Sequence, residues 1–475
     1  MTRVWERGCG SRRGLVLLAA SLVGICGCEG ILDVETSGVI VPGDLDAAGP
    51  AGVPTLVNGM VGSYNASADN VARYAALLTD EMILGGTFPD RFDVDRRRIL
   101  SSNASVTDEL YTPLHAARFQ ADTTVVILEA RLADPAFEEV LDQMEEGIAL
   151  GTLYGGYTRL WLAELFCWSI LTGVFPETAP VMPDARVHEA ITFLAEAQTL
   201  AAAAGLADIR HAAIVGQARA HLWLGNYAEA AALAVLVPRS FAFLSEYSNR
   251  NPDQYNQVYT LTYGDTEGLR WTVGDGSSSI RGNEAWEHLG QFIGLNLIRN
   301  RPPGFTTLHG SIPVLLQTLY SRPEAEILMA SGVEAQLIRA EVLVRQGNTG
   351  AAEGLLNDLR SDYSLRATLR WGVAPPSPQS ALQPLVLTGD LTADVKRVAD
   401  ERARELWLTG DRQATSRRLR RDPAVTINLF PPVKGAGIAG GDDIAFPIVL
   451  RELDNNPNLS PGQACPAGQI SGGWS

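Results

Sequence analysis

The sequence predicts a mainly α-helical chain built from paired helices, with irregular, loop-rich insertions and little β-structure. Two observations carry this. Apolar residues recur at helical spacing through Pro54 to Ala66, Tyr111 to Leu132, Phe137 to Leu171 and Val187 to Ala204. One small-residue pattern also occurs twice in full: Ala218, Gly225-Asn226-Tyr227 and Ala230, then Ala340, Gly347-Asn348-Thr349 and Ala352, at identical offsets. Ala403 ahead of Gly410-Asp411 makes a third, partial copy. With 475 residues, 46% hydrophobic and 19% charged, the chain is neither disordered, collagen-like nor polytopic in a membrane. Its net charge of −16 repels phosphate backbones and argues against a nucleic-acid partner.

The first element is an address. Arg3, Arg7, Arg12 and Arg13 precede an unbroken small and apolar run from Gly14 to Ile25, too short for an ordinary membrane helix. The run ends Ile25-Cys26-Gly27-Cys28, which resembles a bacterial lipobox. Residues 1–27 then form the signal peptide, Cys28 carries the lipid and 28–475 form one helical domain. The alternatives are a plain secretory signal with incidental cysteines and an uncleaved anchor. Glu29 after the lipidated position permits outer-membrane sorting. More than one acyl chain on Cys28 would anchor the chain stably, each buried CH₂ adding roughly 0.8 kcal/mol. Cys167 and Cys465 are left in the mature domain. They can pair in an oxidising compartment, or stay as one buried thiol and one tail thiol.

The helical elements follow. Pro54 suits a first helical position, where its missing N–H costs nothing. Residues 212–238 and 334–360 read as helix hairpins. Small residues let two antiparallel helices approach, and the Gly-Asn step supplies a left-handed turn. The offsets resemble the tetratricopeptide repeat. Between Phe241 and Trp286 eight aromatic residues alternate mainly with Asn, Asp, Gln, Gly and Ser, and 270–282 reads as loop or short hairpin. A second Gly/Pro/Asp-rich stretch spans 85–95. Residues 375–384 are a proline-rich connection, 431–443 a loop, and 468–475 a loose tail.

Catalytic motifs are missing. There is no HExxH, P-loop or GxSxG. Gly435-Ala436-Gly437-Ile438-Ala439-Gly440 matches GxGxxG but leads to Asp442-Asp443 and Phe446-Pro447 rather than a helix, so it fails the dinucleotide condition. His221 sits inside a repeat helix, and no histidine or cysteine spacing suits a metal. The adjacent pairs Asp80-Glu81 and Asp442-Asp443 are the candidates for paired-carboxylate chemistry. No catalytic residue, metal site or cofactor is expected.

The lipobox, Leu32-Asp33-Val34-Glu35-Thr36, and the stretches Glu334 to Glu341, Asn357 to Arg360, Glu401-Arg402, Glu405-Leu406 and Gly410 to Arg412 together resemble the SusD/RagB family of outer-membrane nutrient-binding lipoproteins. Phe446-Pro447-Ile448 and Asn456 to Leu459 complete the likeness. The resemblance implies a lipid-anchored outer-membrane protein facing the exterior. Such a protein binds an oligosaccharide or peptide and passes it to a SusC-like TonB-dependent transporter. It further implies a helical scaffold and a ligand site on the irregular insertions, here the loop-rich region 241–330 and the stretch 85–95. Aromatic faces stack on sugars while polar side chains fork their hydroxyls, so the nominated ligand contacts are Phe88, Arg91, Asp93, Tyr259, Tyr263 and Trp271. A tetratricopeptide-type envelope scaffold without small ligand and a surface glycoside hydrolase are the alternatives.

Overall fold

The computed structural model describes residues 48–86, 88–173, 176–177, 179–262, 271–273, 298–300, 315–317, 319–362, 384–431, 433–434, 438–459 and 465. The signal segment 1–27, Cys28, Tyr263, Trp286, residues 375–383 and the tail 468–475 lie outside the described residues.

Helix α1 (Val53–Leu78) opens with Pro54 in its first turn, as the sequence suggests. It runs well past Ala66, the expected end. From Ser67 to Leu78 every residue is buried, so no apolar–polar alternation marks the second half as helix. Strand β1 (Met82–Leu84) and helix α2 (Pro89–Asp95) follow. A π turn (Thr107–Tyr111) then leads into α3 (Thr112–Glu129). Next come α4 (Leu141–Leu165), α5 (Pro183–Ala203), α6 (Ala207–Trp223) and α7 (Tyr227–Ala234), each packed on the helix before it. In α4 the approach depends on glycine. A Cβ on Gly151 would sit 2.8 Å from the Val125 side chain, and one on Gly156 2.7 Å from Leu194.

The remaining elements are β2 (Ala242–Ser245), α8 (Gln257–Thr262), β3 (Trp271–Val273), β4 (Ile298–Asn300), β5 (Leu315–Gln317) and β6 (Ile327–Ser331). They give way to helices α9 (Gly332–Arg345), α10 (Thr349–Ser361), α11 (Leu391–Glu405) and α12 (Asp411–Arg421). The short β7 (Val433–Lys434), β8 (Ile438–Ala439) and α13 (Leu450–Asn455) close the chain.

The repeated pattern is two helix hairpins, α6–α7 and α9–α10. Gly225 and Gly347 turn between the helices at φ 77° and 75°, in the left-handed region where glycine carries no Cβ penalty. Ala218, Ala230, Ala340 and Ala352 are fully buried at the contacts, which is why the pattern needs small residues. The chain is therefore mainly helical, with tetratricopeptide-like pairs and little strand.

The strands depart from the local reading. Residues 270–282 were expected as a loop or a hairpin closed on itself, but β3 instead pairs antiparallel with the distant β1, with Ile83 opposite Thr272. Strand β2 pairs in the same way with β6. The glycine run read as a loop is flanked by a short ladder, with Val433 opposite Ala439. Its residues 435–437 lie outside the described residues.

Inside the helical scaffold the charges are paired. Arg402 donates to Glu334 at 2.8 Å and to Asp411 at 2.9 Å, and Arg412 holds both oxygens of Asp80 at 2.8 and 2.7 Å. Arg418 grips Glu341 through two bonds of 2.7 Å, and Arg219 grips Glu164 at 2.7 and 2.6 Å. All of these side chains are buried. The stretches 334–341 and 401–412 thus meet through Arg402 and Glu334 within a wider set of buried ion pairs. Planar bidentate pairing favours arginine, which fits a chain whose only lysines are Lys396 and Lys434.

The closing segment is tied to the end of α4. Phe446 N–H donates to the Leu165 carbonyl at 2.8 Å, and Cys167 N–H donates back to the Phe446 carbonyl at 3.0 Å. Cys167 is joined to Cys465 by a disulfide, with Cα atoms 6.0 Å apart at a sequence separation of 298. Among the described residues no helix is long and apolar enough to cross a membrane.

Candidate functional site

A cleft of about 570 Å³ lies over α1, within the size range of small-molecule sites. Three separate pieces of chain line it: the face of α1 carrying Asn58, Asn65, Asp69, Asn70 and Arg73; the π turn with Asp108 and Glu109; and the segment from Glu246 to Gln257, including Tyr247 and Tyr255. With Val61, Gly62 and Ala66, which also line the cleft, the α1 residues follow the three- and four-residue spacing of one helix face. π turns recur at functional sites, and this one places two consecutive carboxylates at the cleft.

The floor is polar and incompletely paired. Asp69 is 1% exposed; its Oδ2 accepts from Gln257 N–H at 2.8 Å, while Oδ1 has no partner. Asn70 donates to the Ala66 carbonyl at 2.8 Å and leaves Oδ1 unpaired. Arg73 lies 3.1 Å from Glu109 and leaves Nε unpaired. Unpaired buried polar atoms are costly, and a cluster of them in one cleft needs an explanation. Burial pushes the Asp69 carboxyl up to about 7, against the opposing pull of Arg73 and the Gln257 N–H. Burial would also raise Glu109, but Arg73, Arg91 and the Tyr74 hydroxyl outweigh it and hold that carboxyl below its ordinary range. Tyr255 is half-buried and lines the same cleft.

The nominated residues divide. Phe88 is 41% exposed with the Arg91 guanidinium 4.7 Å over its ring. Arg91 is buried and donates to Glu109 at 2.9 Å, so it stands behind the cleft as a support for one of its carboxylates. Asp93 is half-buried; burial and then Asp90 raise its carboxyl. Tyr259 packs partly buried against the core. Trp271 is 1% exposed and meets Tyr74 edge-on at 6.2 Å, because β3 is covered on both faces. Its ring is core, not a sugar platform. Tyr263 lies outside the described residues, as does Cys28.

Sequence reasoning missed the α1 face and the π turn. Polar residues spaced helically through Asn58, Asn65, Asp69 and Arg73, on a helix otherwise filled with apolar and small residues, were the signal that could have found them. Tyr247 and Tyr255 do fall in the aromatic-polar stretch. Three of the four acids in the two pairs are engaged by the fold: Arg412 takes Asp80, Glu81 accepts from Leu408 N–H at 3.1 Å through one oxygen and leaves the other unpaired, and Asp443 accepts from Ile99 N–H at 2.6 Å. Burial pushes Glu81 up to about 8. A smaller cavity of about 290 Å³ adjoins Trp223 and Tyr227, but its two arginines are already engaged: Arg418 donates to Glu341 at 2.7 Å and Arg421 lies 2.6 Å from Asp184. No group of described residues has the arrangement to hold a metal ion.

No protein-family model and no curated protein sequence matches the chain. Solved structures do. A SusD superfamily protein from Bacteroides thetaiotaomicron aligns at 14% identity with a TM-score of 0.61, covering 87% of this chain and 99% of its own. Surface glycan-binding protein A from Bacteroides uniformis aligns at 13% identity and TM-score 0.59, covering 86% and 98%. The protein of that name from Bacteroides thetaiotaomicron, solved with laminarihexaose, aligns at 12% and 0.57 over the same shares. The chain has the SusD-like fold.

Proposed function

We propose that this chain is a surface saccharide-binding lipoprotein of the SusD type, with the cleft over α1 as its binding site. The observation that carries this is a concave cleft lined by the polar side chains of Asn58, Asn65, Asp108 and Glu109 together with Tyr247 and Tyr255. Sugar hydroxyls pair with cleft-lining polar side chains and an apolar sugar face stacks on a tyrosine ring. The similar surface glycan-binding proteins, one of them solved with laminarihexaose, favour a glycan over a peptide. Phe88, beside the Arg91 that supports Glu109, extends the surface on which a longer ligand would lie.

In this reading residues 1–27 are removed, Cys28 is acylated, and 28–475 sit on the outer membrane as one helical domain. Binding there holds a nutrient for a SusC-like TonB-dependent transporter without breaking a bond. Calorimetric titration of the mature chain with neutral oligosaccharides tests the site. Saturable binding without turnover, weakened roughly three- to tenfold by Tyr255→Ala, is the expected result. Binding that ignores Tyr255→Ala, or sugar release on incubation, would contradict it. Mass spectrometry of Cys28 and a detergent pull-down for a large β-barrel test the anchor and the partner.

A further inference from the structure

One wall of the cleft is a loop pinned to α1 at both ends. Between β2 and α8 the chain from Glu246 to Asn256 supplies that wall, with Tyr255 near its far end. Ser248 N–H donates to the Gln254 carbonyl at 3.0 Å, so the loop closes on itself. At its start the Tyr247 hydroxyl donates to the Asn65 carbonyl at 2.8 Å. At its end Gln257 N–H donates to Asp69 Oδ2, also at 2.8 Å. Asn65 and Asp69 stand one turn apart on the cleft face of α1, so both ties fall on the floor of the cleft. The buried Asn256 steadies the far end, its N–H donating to the Pro323 carbonyl at 2.8 Å and its side chain to the Ala325 carbonyl at 2.7 Å. Between the ties, Arg250 to Gln254 are exposed.

We infer that Tyr247 and Asp69 are positioning residues: by pinning this loop to α1 they hold Tyr255 at the cleft, and the affinity for a ligand depends on the two ties. This rests on the saccharide-binding reading of the same cleft. A surface loop stays ordered only while its contacts outweigh the conformational freedom it gives up. A wall that is ordered beforehand spares the ligand that cost, whereas a released wall must be ordered at the moment of binding. The Tyr247 hydroxyl donates its proton to α1, so its effect reaches the ligand through the loop.

The test pairs two measurements on the mature chain. One is calorimetric titration with neutral glucose hexamers, laminarihexaose among them. The other is tryptic cleavage of the exposed Arg250–Asn251 bond without ligand, followed by mass spectrometry. Tyr247→Phe keeps the ring and removes only the tie. It should bind the tightest hexamer roughly three- to tenfold more weakly, the range that one hydrogen bond supports. It should also be cut at that bond at least about threefold faster, with the thermal midpoint of the parent. A residue that merely touched the ligand would leave cleavage in its absence unchanged. Asp69→Ala should speed cleavage in the same way, and Asp69→Asn, which keeps an acceptor for Gln257 N–H, should return it towards the parent rate. If Tyr247→Phe leaves cleavage or affinity at the parent value, or if Asp69→Asn is cut as fast as Asp69→Ala, the inference is overturned while saccharide binding stands. If no hexamer binds the parent, the saccharide reading itself falls, and the inference with it.

Discussion

The ion-pair lattice between the helices and the cleft over α1 use the same residue types to opposite ends. In the lattice every named carboxylate meets an arginine from another element: Glu334 and Asp411 on Arg402, Glu341 on Arg418, Asp80 on Arg412. In the cleft Asp69 and Asn70 keep an oxygen with no partner, although they are buried nearly as deeply. The difference teaches where to look for function. A buried charge answered from within the chain holds the fold together, whereas the cleft gathers partly paired polar groups around a space that another molecule can enter.

The comparison can be broken most forcefully in the lattice. Arg402→Met removes the common partner of Glu334 and Asp411 and strands two buried carboxylates. It should cost about 3–5 kcal/mol in denaturant-induced unfolding. A loss below about 1 kcal/mol would mean that the lattice contributes little.

Acid and base titration should separate the two regions by sign. Burial would raise Glu341, but Arg418 and Arg345 hold it at about 2, below its unfolded value. Its contribution is therefore present above its unfolded value and lost as pH falls through about 2. Asp69 is raised from 3.8 to about 7 by burial, so the folded state retains its proton and stability falls as pH climbs between those values. Unfolding curves of Asp69→Asn against the parent should diverge as pH climbs from 3.8 to about 7, with the variant the more stable above that window, and converge in acid. Glu341→Gln should be the weaker protein at neutral pH and lose its disadvantage in strong acid. Identical pH profiles for the two variants would erase the distinction.

The disulfide lies outside both regions and tests the closing segment. Cys167→Ser should cost about 2–4 kcal/mol, and reduction of the parent should lower its thermal midpoint to that of the variant. An unchanged midpoint on reduction would show that Phe446 and its backbone bonds suffice to hold the tail.

The scaffold was legible in the sequence because its signals are local. Gly225, Gly347 and Gly410 mark left-handed turns, and the alanines at fixed offsets mark helix contacts that need small side chains. The stretches 334–341 and 401–412 were recognisable as motifs, though only the structure shows that they pair with each other. The cleft was far less legible. It gathers one face of α1, a π turn and a loop far along the chain, and no local pattern announces that they meet. The second half of α1 was missed because complete burial removes the amphipathic alternation that betrays a surface helix. The aromatic residues pointed to the right neighbourhood without separating inward from outward rings. Tyr255 lines the cleft, while Trp271 from the same stretch is core. Pairing between β3 and the distant β1 decides that, and alternation within one short segment does not reveal it.

The most direct test of the contrast between answered and unanswered charge is a single calorimetric comparison of the parent with Asn70→Ala, using the tightest oligosaccharide from the titration panel. The substitution removes an unpaired buried oxygen and one hydrogen bond to Ala66. Affinity should fall at least about tenfold, while unfolding free energy changes by no more than about 1 kcal/mol. A variant that binds the oligosaccharide as tightly as the parent would contradict the account, because the floor of the cleft would then hold no ligand.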